Sequence, residues 1–387
     1  MVNFNFYNPA RIIFGKDTEK ELPAQIQKFG SKVLLHYGGG SIKKIGLYDK
    51  IVKILKDAGI PFVELGGVQP NPRLSLVYEG IQLCKKENVD FILAVGGGST
   101  IDSAKAIAIG VPYDGDVWDF YDNKGEPKEI LPVASVLTIP AAGSESSDGS
   151  VITNDTLNLK HSAGCELMIP KFTIMNPENT FSLPPYQTAC GATDIMAHLM
   201  ERYFTTVPNV DVSDRLIEAT FRSMLYNVPK VLRNPNDYDA RAEIMWAGTV
   251  AHNNLYQMGR IPDWGSHNIE HELSAIYDIA HGAGLAIVFP AWMKYVYKTD
   301  IKRFVQYAVR MFDVDLAFAD DEEIALEGIR RLEAFSKSIG MPTRLADIGI
   351  GDDRIDEMAK KAVMYGPIGK FKPLYEEDVA AILRLAL

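Results

Sequence analysis

Short apolar runs alternate with amphipathic stretches through the first half of the chain. SKVLLHY, PFVELGG and DFILAVGGGS begin at residues 31, 61 and 90, and each holds a short, mainly apolar stretch that reads as a strand. Between and after them IKKIGLYDKIVKILKDAG, RLSLVYEGIQLCKKENV and STIDSAKAIAIG carry helical spacing. Repeated strand-then-helix units predict a largely parallel sheet. LPVASVLTIP, ending at Pro140, predicts a further buried strand, and the shorter alternation from Val151 to about Pro177 predicts a hairpin region. From Tyr186 onward, segments such as YQTACGATDIMAHLMERYF, VDVSDRLIEATFRSMLYNVPKVL and EEIALEGIRRLEAFSKSIG are helical and strand candidates nearly vanish. Two prolines in SLPPY, residues 182–186, interrupt any regular element. The fold class is therefore α/β, with a Rossmann-like parallel-sheet domain over residues 1–184 followed by an all-α domain over residues 185–387.

Composition narrows the function classes. The chain has 387 residues, 47% hydrophobic and 23% charged, enough for two globular domains. Its net charge of −10 and dispersed basic residues argue against a nucleic-acid partner. Cys84, Cys165 and Cys190 are far apart and odd in number, without a CxxC pair, so the expected compartment is a reducing cytoplasm. The first residues, MVNFNFYNPARIIFG, lack the pattern of a secretory leader, and no run approaches a membrane span; a membrane partner is not expected.

Two GGGS sequences, ending at Ser41 and Ser99, each follow an apolar strand and precede a helix. Successive glycines let a backbone approach a ligand closely, and the following helix offers unpaired N–H groups to a phosphate. Neither matches GxGxxG or GxxxxGK[ST], and a tight turn at a strand end is the competing reading. Two such turns at the carboxyl ends of one sheet favour a nucleotide. Ser99 and Asp102 form an S-x-x-D pattern that serves as a helix cap, a cofactor contact, or both. Lys160 is a candidate cation for a phosphate, against the plain alternative of a solvated surface lysine.

The helical half holds the densest chemistry. Asp194 and His198 stand at i and i+4, where a carboxylate and an imidazole share one helix face and can grip one divalent cation. His252, His267, His271 and His281 follow; His267 and His271 also share a face, so that both bind metal or one serves as a proton carrier. His252 and Glu270 are expected to support the site or the fold. One carboxylate with several imidazoles suits Fe(II), Zn(II) or Mn(II) better than Mg(II) or Ca(II).

GGGSTIDSAKAIA, TIPAAGSESSDGSVIT, ATDIMAHLMERY and HNIEHELSAIYDIAHGAGLAIVFP together resemble the iron-containing alcohol dehydrogenase family, and YGGGSIKKIG and PDWGSHNIEHEL resemble its butanol dehydrogenase and broad aldehyde reductase branch. The likeness runs from about Phe4 to the last helices. It implies Asp194, His198, His267 and His281 as ligands of one divalent metal, Fe(II) or Zn(II), with His271 beside the nicotinamide and substrate. It also implies Gly97, Gly98 and Ser99 as the pyrophosphate turn, further contacts from Asp102 and Thr138, Gly38, Gly39 and Ser41 beside the adenosine ribose, and Asn71 at the adenine end. AAGSESSDG departs from the family's usual glycine-, threonine- and alanine-rich stretch, which weakens any carry-over to residues 142–147.

NAD-using relatives tend to end the first strand with an aspartate that accepts from the ribose 2′-OH. Here that position falls in Tyr37-Gly38-Gly39, while Ser41, Lys43 and Lys44 suit an extra phosphate, so NADP(H) is preferred over NAD(H). The expected reaction interconverts short- to medium-chain primary alcohols, such as butanol, and aldehydes by hydride transfer in a pocket between the two domains. Trp246, Tyr256, Met258 and Trp264 are candidates for its substrate end, with core packing as the competing reading. A metal-dependent hydrolase and a glycerol dehydrogenase-like polyol oxidoreductase are the alternatives. FNFYNPARIIFG reads as an edge strand open to a second subunit, and the resemblance implies a homodimer.

Overall fold

The computed structural model describes all residues, Met1–Leu387, and divides them into two compact units. One comprises Tyr7–Leu183 with Pro235–Asn253; the other comprises Met1–Phe6, Pro184–Asn234 and Asn254–Leu387. The chain thus enters the sheet unit at Tyr7, leaves it at Leu183–Pro184, at the first of the two prolines, and returns over Pro235–Asn253 so that helix Tyr238–His252 joins the sheet unit.

The sheet unit is built on strands β1 (Arg11–Phe14), β2 (Val33–Gly38), β3 (Phe62–Val68), β4 (Phe91–Gly97) and β5 (Val133–Ile139), a hairpin of β6 (Gly149–Asn154) and β7 (Leu159–Gly164), and β8 (Phe172–Met175). Six of them form an all-parallel sheet in the order β1-β8-β5-β4-β2-β3. Side chains alternate faces along a strand, and the two faces have separate cores: Leu34, Ile92 and Ala94 pack on one side, Val33, Leu35, Phe91, Leu93 and Val95 on the other. The hairpin expected from Val151 is β6–β7, but it ends at Gly164; Phe172–Met175 is instead a buried parallel strand, too short to show a period.

Two local readings change. The helix expected from Ile42 to Gly59 breaks at Gly46, whose φ of 74° stops one turn at Ser41–Lys44 and restarts the chain as Leu47–Asp57. At the amino terminus only Arg11–Phe14 is strand, on the sheet edge beside β8. Asn8, just before Pro9, donates to the carbonyls of Ser146 and Asn253 and accepts from Ala10 N–H, which ties this segment to the turn after β5 and to the end of helix Tyr238–His252.

The second unit is helical. Helices Pro185–Tyr203, Gly265–Tyr277 and His281–Val296 carry its candidate chemistry, and an aromatic cluster of Phe204, Phe289, Trp292, Phe304, Tyr307 and Phe371 fills its core. Among all helices of the chain, none is long and apolar enough to cross a membrane.

Candidate metal centre and glycine turns

In the helical unit the i, i+4 pair on helix Pro185–Tyr203 presents Asp194 and His198 to one point, with His198 Nε2 3.1 Å from Asp194 Oδ1. His267, in the first turn of helix Gly265–Tyr277, and His281, first residue of helix His281–Val296, each bring Nε2 to 3.8 Å from the same oxygen. Single donor atoms of Asp194, His267 and His281 lie within 4.8 Å of one another. A tetrahedral ion with bonds of about 2.1 Å separates its ligand atoms by roughly 3.4 Å, so these spacings suit one divalent cation. Asp194 Oδ1 and His267 Nε2 are buried and make no hydrogen bond, a costly arrangement for two polar atoms unless a cation lies between them. The residues present fit a metal.

Glycine makes the approach possible. A Cβ on Gly282 would stand 2.1 Å from the carbonyl oxygen of Cys190, so the start of helix His281–Val296 passes directly against helix Pro185–Tyr203 one turn before Asp194. A Cβ on Gly284 would meet Glu270 at 2.6 Å.

Two carboxylates hold the imidazoles from behind. Glu201 Oε1 accepts from His267 Nδ1 at 2.7 Å, and Glu270 Oε2 accepts from His281 Nδ1, while Ser274 Oγ donates to the other Glu270 oxygen at 2.5 Å. In a neutral imidazole each bond would put the proton on Nδ1, leaving Nε2 facing Asp194 as a free donor atom for a metal. Glu201 was not singled out by the sequence, although its spacing from Asp194 and His198 on the same helix, seven and three residues, places it on their side of the helix. Glu270 supports His281, in the place expected for it.

The electrostatics favour a cation. Burial pushes His198 down to about 3 despite the Asp194 carboxylate, leaving a neutral imidazole. Burial also opposes charge on His267, but the nearby carboxylates of Asp194 and Glu201 outweigh this and raise it to about 9. Burial would lift Asp194 too, and the surrounding histidines instead hold it well below the carboxylate range.

His271 lies half-buried on the same helix as His267, its ring 5.8 Å from that of His281, and it groups with Glu270 and His281 within 4.8 Å. Of the aromatic candidates, Trp264 stands against His198 and His267. Tyr256 is buried and its hydroxyl bonds Thr220, Met258 accepts from Ser213 through its carbonyl, and Trp246 belongs to the sheet unit.

In the sheet unit the two glycine turns close β2 and β4. Gly40 has a φ of 115° that only glycine adopts readily, while Gly38 and Gly39 lead into it and Ser41 is exposed at the start of the next turn. The second turn is glycine for a different reason: a Cβ on Gly96 would meet Thr100 at 2.3 Å, on Gly97 Ile139 at 2.9 Å, and on Gly98 Ala142 at 3.1 Å. Gly98 and Ser99 open helix Gly98–Gly110, whose first N–H groups are available to an anion.

That helix is buried almost all round, so its charges must be paired inside. Asp102 accepts from Ser144 Oγ at 2.5 Å and Val151 N–H at 3.0 Å, which makes it a strut beneath the turn, with burial raising its carboxyl. Lys105, fully buried and unremarked in the sequence, donates to the carbonyls of Ser147 and Gly149, and burial pushes it down to about 8. Thr138 is buried on β5, Asn71 is buried with a φ of 52°, and Lys160 is buried on β7 rather than solvated. At the β2 end, Lys43 sits over the rings of Tyr37 and Tyr48, whose hydroxyls both donate to Glu64.

Comparison with known proteins covers the whole chain. Residues 9–177 match the family described as iron-containing alcohol dehydrogenase, and residues 188–387 match the C-terminal part of the Fe-containing alcohol dehydrogenase family. The chain is 48% identical to a probable NADH-dependent butanol dehydrogenase of Bacillus subtilis over the full length of both. It is 38% identical to the NADPH-dependent aldehyde reductase YqhD of Escherichia coli, over 95% of this chain and 94% of that protein. Among solved structures, an NADH-dependent butanol dehydrogenase A from Thermotoga maritima superposes with a TM-score of 0.96 at 42% identity, covering 99% of this chain and 98% of that one.

Proposed function

The chain belongs to the iron-containing alcohol dehydrogenase family, and from that premise we propose that it interconverts short- to medium-chain primary alcohols and their aldehydes with a nicotinamide cofactor and one divalent metal. The oxidoreductase class follows from the family, and neither the hydrolase nor the polyol reading is favoured. The observation that carries the site assignment is the convergence of Asp194 Oδ1 with three imidazole Nε2 atoms, two members of which are buried without a hydrogen bond.

Asp194, His198, His267 and His281 are proposed to hold Fe(II) or Zn(II). A cation there supplies a Lewis acid for the substrate oxygen, and the nicotinamide supplies or receives the hydride. Asp194 contributes the negative charge of the shell. Glu201 and Glu270 fix the tautomers of His267 and His281, so those rings enter the reaction without rotating. His271 is proposed to carry the proton, because it is half-exposed and groups with Glu270 and His281.

For the cofactor, Gly97, Gly98 and Ser99 are proposed to receive the pyrophosphate, with Thr138 and Lys160 nearby in the same unit and Asp102 acting through Ser144 and Val151. Gly38, Gly39, Ser41 and Asn71 are assigned to the adenosine half. NADP(H) is proposed over NAD(H). No acid lies in the turn from Tyr37 to Ser41, and Glu64, beside it on β3, is engaged by two tyrosines, with Lys43 over their rings. The Bacillus and Thermotoga relatives are named for NADH and the Escherichia coli one for NADPH, so the contrast is open to direct measurement. A cytoplasmic homodimer completes the proposal, supported by the three unpaired thiols and by the edge strand β1 with exposed Phe4, Phe6 and Tyr7 ahead of it.

Butanal reduction by Fe(II)- and Zn(II)-loaded enzyme, assayed with NADPH and NADH, tests the reading. A higher kcat/KM with NADPH is expected, and Asp194→Ala should lose bound metal and turnover together. A metal-free Asp194→Ala protein with full activity would overturn the site, and a clear NADH preference would overturn the cofactor assignment.

A further inference from the structure

Ten residues other than glycine have a positive φ, and nine are asparagine or aspartate, whose short polar side chains tolerate the left-handed region. The tenth is Trp264, at φ 65° and ψ 7°, immediately before helix Gly265–Tyr277. A bulky aromatic side chain in this region is strained and persists only where its surroundings hold it.

Those surroundings are the supports of the metal site. Trp264 N–H donates to Glu201 Oε2 at 2.6 Å, the carboxylate whose other oxygen holds His267 Nδ1. Its carbonyl accepts from Asn268 Nδ2 at 2.8 Å. The indole meets His198 and His267 edge to face, with centroids 5.7 Å and 5.1 Å away and interplanar angles of 74° and 76°. On the indole, the guanidinium of buried Arg202 stands 4.9 Å from the ring centroid, and Arg202 also donates to the carbonyl of His198. His198, His267 and a buried cation meet the indole, and the carboxylate behind His267 holds the backbone N–H of the same residue.

We infer that Trp264 is a positioning residue of the metal centre, an aromatic plate that fixes the ring planes of His198 and His267, with its strained backbone tied to the carboxylate that sets the His267 tautomer. The left-handed backbone serves to aim the ring. This inference rests on the proposed metal shell.

Glycine at this position relaxes the backbone while deleting the plate, so Trp264→Gly separates the two contributions. Chelator-stripped protein is titrated with Co(II), reading affinity by competition and ligand geometry by the visible absorption bands, and apo-protein thermal midpoints are measured in parallel. Trp264→Gly should bind Co(II) about 10- to 100-fold more weakly, with shifted bands and an apo midpoint no lower than the parent's. Trp264→Phe should recover most of the affinity and the parent spectrum. Wild-type affinity and bands in Trp264→Gly would overturn the inference. So would a glycine variant that fails to fold or has a lower apo midpoint, which would make Trp264 a packing residue. If the parent and Asp194→Ala bind Co(II) equally, the metal shell itself is wrong and the inference falls with it.

Discussion

At Glu201 one carboxylate serves three donors: the Trp264 N–H, the His267 N–H and His267 Nδ1. Glutamine keeps the shape but offers one carbonyl oxygen and removes the charge. Glu201→Gln is therefore expected to lower Zn(II) or Co(II) affinity about 10- to 100-fold, measured by competition with a chromophoric chelator, while the secondary structure by circular dichroism stays intact. A second buried residue sets a pH limit in the sheet unit. His36 is fully buried, its ring nitrogens bonded to the Leu65 carbonyl and Ser103 Oγ, and burial pushes it down to about 4 from 6.5. The unfolded chain then binds the proton first as pH falls, so the stability His36 contributes is complete above pH 6.5 and is lost toward pH 4. The loss between pH 7 and pH 5 comes to about 2 kcal/mol. Urea midpoints for the parent and His36→Gln should show a shallower pH dependence in the variant; parallel curves would mean that His36 does not titrate in this way. The proposed metal site was legible in the sequence as a group, because Asp194 and His198 share a helix face and His267, His271 and His281 follow closely, while the choice among the histidines came from the family resemblance. Glu201 was not, because a buried glutamate is recognised only by the donors around it.

At the scale of elements, the proposed metal shell depends on helices meeting at glycine. Gly282 passes so close to the Cys190 carbonyl that any side chain collides with main chain, which cannot swing aside as a flexible side chain can. Gly282→Ala should force the 185–203 and 281–296 helices apart, carrying His281 from Asp194, at a cost of about 1–3 kcal/mol or more. Bound metal per chain and the urea midpoint should both fall; unchanged metal content would show that the interface relaxes elsewhere. The βα alternation was readable from periodicity, since each strand is long and apolar enough to show it. β8 was not, because four residues cannot establish a period, and its place between β1 and β5 is fixed by pairing with distant segments. The break at Gly46 was equally hidden, since glycine inside a helical pattern is tolerated as often as it terminates.

For the whole molecule, the sheet ends at β1, an edge strand whose outer hydrogen-bonding groups have no neighbouring strand, preceded by exposed Phe4, Phe6 and Tyr7. Light scattering coupled to gel filtration should give twice the 42.9 kDa chain mass, and Phe4→Asp with Phe6→Asp should shift it toward the monomer; a parent that elutes as a monomer would remove the dimer. The sequence by itself determined the parallel sheet and helical half, the two glycine turns and the group of side chains proposed to bind a metal, because these are written in local spacing and in residue chemistry. Only the tertiary structure decided which unit helix Tyr238–His252 joins, that Asp102 and Lys105 are spent on the segment after β5, and that Glu201 and Trp264 stand behind the histidines. Those outcomes depend on contacts between residues far apart in the chain, where burial forces each polar group to find a partner that no local pattern specifies.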